Sequence, residues 1–64
     1  MKKNVQLLLQ GNKVVVISDA GDFLKLFKVN MGYQHDIAKF LSDNNYKISK
    51  QTASNFPYLE MFTS

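Results

Sequence analysis

A chain of 64 residues with 45% hydrophobic and 20% charged side chains makes one domain at most, and its apolar content excludes the disordered class, which combines low hydrophobicity with high charge. Eight lysines and no arginine against five acids give a net charge of +3, which suits an anionic partner such as nucleic acid without demanding one. No cysteine is present, so disulfide staples and thiolate metal sites are excluded. A core this small rarely contributes more than about 3–5 kcal/mol, and a homodimer is therefore expected.

The first residues, Lys2 and Lys3 followed by Val5, Leu7, Leu8 and Leu9, have the start of a basic leader. Gln6, Gln10 and Gly11 interrupt the apolar segment before it reaches secretory length. No apolar run approaches the roughly 20 residues of a membrane helix. A cytoplasmic protein without a membrane partner is expected.

Residues 1–18 read as a β-hairpin. Residues 5–10 and 13–18 are rich in Val, Leu and Ile, with Gly11 and Asn12 as a two-residue connector. Both strands are apolar on both faces, so helices should cover one face and a partner hairpin the other. In residues 19–31 the pattern changes. Ala20, Phe23, Leu24, Phe27 and Met31 fall on one helical stripe, with Asp22, Lys25 and Lys28 off it. The spacing predicts a supporting helix, capped by Ser18 or Asp19 and stopped by a left-handed Gly32. A third strand over 23–29 is the second reading.

Residues 34–43 place Ile37, Ala38 and Leu41 on one helical face, and Asn44 and Asn45 should end that helix. After Tyr46, Lys47 and Ile48, Ser49 can cap a further helix from Lys50 to Phe56, and Pro57 should end it. The tail to residue 64 is apolar enough to pack on the core or a partner. The chain is thus expected to be a single α+β domain, with an N-terminal β-hairpin followed by about three short helices. The last two, over 34–56, would form a helix-turn-helix.

With about 100° per residue, Lys50, Gln51, Ser54 and Asn55 share one arc, opposite Thr52, Ala53 and Phe56. Gln and Asn can pair bidentately with adenine in the major groove, Lys can reach guanine or phosphate, and Ser serves either. The other reading of such a stripe is a solvated helix face. The stretch 34–54, with Gln34, Leu41, Tyr46, Ile48, Ser49, Thr52 and Ser54, resembles the winged-helix DNA-binding domain of bacterial arginine repressors. The resemblance implies that Thr52 and Ser54 face or adjoin double-stranded DNA. Asn55 departs from it, since the family has an arginine there, and the hairpin precedes the helices instead of following them. Nothing in the chain points to arginine sensing.

The expected DNA-binding set is Lys47, Lys50, Gln51, Thr52, Ser54 and Asn55. Phosphate contacts would come mainly from the lysines of residues 1–28. His35 lacks the companions zinc requires, and no nucleophile, base and orienter can be assembled, so neither a metal, a cofactor nor catalysis is expected. The expected function is a small DNA-binding transcriptional regulator, a repressor of the kind carried by phages and other mobile elements. The alternative is a small inhibitor or adaptor that binds protein through the apolar hairpin edge or the C-terminal patch of Tyr58, Leu59, Met61 and Phe62.

Overall fold

The computed structural model describes residues 2–63. Met1 and Ser64, the outer ends of the spans read as hairpin and tail, lie outside the described residues. The fold is a mixed α+β domain, with strands first and short helices after them. Strands β1 (Lys3–Gln10) and β2 (Lys13–Ser18) form the expected antiparallel hairpin, closed by the pair Gln10 and Lys13. Gly11 turns the corner with φ +62°, a conformation that costs glycine little.

The third element differs from the helix expected over 19–31. Residues Phe23–Lys28 form strand β3, antiparallel to β2. Local geometry in the connecting turn explains the change. Gly21 has φ +89°, the Gly21 amide donates to the Ser18 carbonyl, and the Asp22 amide donates to the Ser18 hydroxyl. Ser18 therefore caps a tight turn and not a helix. Of the apolar stripe, Leu24 and Phe27 pack on the core while Phe23 and Met31 stay exposed. Pairing with β2 satisfies the backbone groups instead, and Phe and Leu accept a pleated, half-buried surface. Gly32 does adopt the left-handed conformation, φ +86°, but it starts the next helix rather than stopping a previous one.

Helix α1 (Tyr33–Asp43) buries Ile37 and Leu41 and carries Asp36 in its first turn, where the helix dipole favours an acid. It ends at the two asparagines as expected. The Asn44 amide donates to the Phe40 carbonyl and Asn45 has φ 56°. Strand β4 (Tyr46–Ile48) pairs parallel to the start of β1, which gives the sheet order β3-β2-β1-β4. The link between α1 and the following helix α2 (Lys50–Asn55) is thus a strand in the sheet, where a tight turn was expected. A 3-10 helix (Pro57–Phe62) follows, and Thr63 bridges back to Ile48.

One face of the sheet is covered. Val5, Leu7, Val14 and Val16 meet Ile37, Leu41, Ile48, Ala53, Phe56 and Leu59 in a single core. Phe27 and Phe40 pack edge to face at its border, with centroids 5.7 Å apart. The tail packs back through Leu59, which is fully buried. No helix among the described residues is long and apolar enough to cross a membrane.

Candidate nucleic-acid interface

Helix α2 is held at both ends. The Ser49 hydroxyl accepts a hydrogen bond from the Thr52 amide at 3.1 Å and donates one to the Thr52 hydroxyl at the same distance. This satisfies an amide that the first helical turn leaves open. At the other end Phe56 leaves helical geometry (φ −135°, ψ 67°) ahead of Pro57, which opens the 3-10 helix. The buried side chains Thr52, Ala53 and Phe56 anchor the inner face.

Lys50, Gln51, Ser54 and Asn55 are exposed, as the helical wheel places them. They divide between two grooves. Gln51 and Asn55 line one groove together with Gln6, Leu7 and Leu8 of β1. Lys50 and Ser54 line another with Pro57, Glu60 and Thr63. The Ser54 hydroxyl donates to the Gln51 carbonyl at 2.7 Å, which turns it back along the helix.

Thr52 borders the groove lined by Gln51 and Asn55 but does not point out of it. Its side chain is buried and its hydroxyl is engaged by Ser49, so it supports the helix start instead of facing outward. Lys47 lies on β4 opposite Asn4 of β1, half-buried, and away from the outer arc of α2. His35 is exposed at the start of α1. Among the described residues no three of His, Cys, Asp and Glu gather where they could hold a metal ion.

No family model, curated protein or solved structure matches the chain. The grooves beside α2 are therefore read from their own chemistry.

Gln6 and Leu8 are the residues that sequence reasoning missed. β4 pairs only with residues 3–5 of β1, so β1 runs on past its end and α2 stands beside this extension. Gln6 thereby joins Gln51 and Asn55, and three carboxamides line one groove. The sequence held a faint signal, since Gln6 interrupts an apolar run at a position that alternation turns away from Val5 and Leu7. Its meeting with α2, 45 residues later in the chain, follows only from the parallel pairing of β4.

Proposed function

We propose that the protein is a small DNA-binding regulator, of the kind found on phages and other mobile elements, that presents the outer face of α2 to the major groove. The observation that carries this reading is the groove in which Gln51 and Asn55 of α2 stand with Gln6 of β1. A carboxamide offers a donor and an acceptor side by side, the pattern that matches the N6 and N7 edge of adenine. Lys50 at the start of the same helix is exposed and suited to guanine or phosphate. The hairpin borders α2 through Gln6, Leu7 and Leu8, and the lysines of residues 1–28 would have to reach phosphate beyond that groove. Under this proposal α1 and α2 act as the two helices of a helix-turn-helix variant whose connection is the strand β4. The resemblance of residues 34–54 to the arginine-repressor domain supports the same assignment. The protein is a binding module in this reading, with no catalytic step.

Fluorescence anisotropy with random-sequence duplex at several salt concentrations, followed by selection of enriched sites, tests the proposal. Binding should weaken steeply with salt and enrich a defined site. Gln51→Ala or Asn55→Ala should each reduce discrimination by about 1–3 kcal/mol at one position while leaving the fold intact. Lys50→Ala should weaken binding to all sequences. Absence of binding at low salt would reject the proposal.

A second reading, a protein-binding inhibitor or adaptor, draws on Leu9 and Met61, which are 64% and 78% exposed. It predicts that substitutions at these two positions abolish function in a folded protein that tolerates Lys50→Ala and Asn55→Ala.

A further inference from the structure

The sheet has helices on one face only. On the other face the cross-strand pairs bring Leu8 beside Val15, Val15 beside Leu26, and Ile17 beside Phe23. Leu8, Leu26 and Phe23 are 41%, 39% and 64% exposed, and Val15 and Ile17 are half-buried. This makes a continuous apolar band across three strands of a small domain, and surfaces of this type mark contact sites.

Charge divides along the β2–β3 hairpin that carries most of the band. At its open end Lys13 and Lys28 are direct cross-strand partners, an arrangement of like charges that opposes folding. Among the described residues neither has a carboxylate partner. At its closed end the turn holds Asp19 and Asp22, both exposed. The Asp19 carboxylate accepts a hydrogen bond from the Asn4 side chain at 3.0 Å. Lys47 of β4 stands opposite Asn4, the residue whose side chain bonds Asp19.

We infer that the uncovered sheet face is a homodimer interface, in which two copies pack face to face with their strands antiparallel. A two-fold axis between the sheets, perpendicular to the strands, is the operation that decides the arrangement. It lays β2 and β3 of one copy over the same strands of the other with ends reversed, so Lys13 and Lys28 of each copy meet Asp19 and Asp22 of its partner. The apolar bands meet in the middle, as the inner faces of a sandwich do. The same surface fits nucleic acid poorly. Its centre is aliphatic, Phe23 is its one aromatic among the residues of the band, and it ends on carboxylates, whereas a single-strand platform needs several stacking rings in a positive groove. Gln6 and Leu8 share this face with the band and also border the α2 groove. A dimer would therefore cover them and leave Gln51 and Asn55 as the exposed carboxamides. Self-association without DNA tests the dimer separately from the reading of α2. If both hold, the two copies present α2 along one edge of the sandwich, related by the two-fold axis that a palindromic site requires.

Sedimentation velocity over a range of protein concentrations, without DNA, tests the interface. The wild-type chain should pass from monomer to dimer with rising concentration. Lys13→Glu/Lys28→Glu should weaken self-association about tenfold or more at low salt, because like charges then face each other, and Asp19→Lys/Asp22→Lys should do the same. Mixing the two folded variants should restore the dimer as a heterodimer. A wild-type chain that stays monomeric throughout, or a mixture that fails to associate, would overturn the inference. Shifts in the Leu8, Ile17, Phe23 and Leu26 resonances of a monomer on adding a single-stranded oligonucleotide would also overturn it and give the face to nucleic acid.

Discussion

At residue scale, two hydroxyls carry opposite consequences. The Ser49 hydroxyl is a helix cap in full use, and Ser49→Ala should cost about 1 kcal/mol, read as a lower urea midpoint with an unchanged slope. The Tyr58 hydroxyl is shielded from solvent and stands near the Tyr33 side chain without a hydrogen bond of ordinary geometry to it or to any other described residue. Removing an unsatisfied buried group relieves a desolvation penalty, so Tyr58→Phe should leave stability unchanged or raise it by about 1 kcal/mol. Burial first, and then Tyr33 beside it, hold the Tyr58 phenol well above its ordinary pKa of 10.0. The unfolded chain therefore releases this proton near pH 10 while the folded chain keeps it. Stability is thus independent of this proton below pH 10 and declines as pH rises beyond it. Urea titrations of the wild type and of Tyr58→Phe should diverge above pH 10, with the wild type falling faster.

At the scale of elements, β3 shows how a helical period can be satisfied by a strand. Ala20, Phe23, Leu24, Phe27 and Met31 keep helical spacing, yet Gly21 sits in the left-handed region within that run and would weaken a helix there. The register against β2 shifts between Val16 and Ile17. Such a bulge lets adjacent residues escape strict alternation, and here Leu24 packs on the core although it neighbours exposed Phe23 and Lys25. Strict alternation was therefore not there to be read. Cα and Cβ chemical shifts should be strand-like over 23–28 and helical over 33–43; helical shifts over 23–28 would contradict this assignment. Helix α2 was legible, because its cap, its wheel and its proline are all local signals.

For the molecule as a whole, stability rests on one small core. Leu59 is fully buried between the helices and the sheet, and Leu59→Ala should cost about 2–5 kcal/mol. That is comparable with the roughly 3–5 kcal/mol a core of this size supplies. The variant should therefore be largely unfolded at 25 °C by circular dichroism, whereas replacement of fully exposed Met31 by Ala should leave the spectrum unchanged. If the sheet face closes a dimer, the melting temperature of the wild type should also rise with protein concentration.

The sequence by itself determined the mixed α+β class, the hairpin, the ends of α1 and α2, and the outward arc of Lys50, Gln51, Ser54 and Asn55. These depend on glycine and asparagine conformations, a capping hydroxyl and a local apolar period, all set within a few residues. Only the tertiary structure decided that residues 23–28 are a strand and that Tyr46, Lys47 and Ile48 extend the sheet. It alone brought Gln6 to Gln51 and Asn55. Each of these depends on partners distant in the chain, since a strand exists through its neighbour's backbone and a groove through the elements that happen to border it.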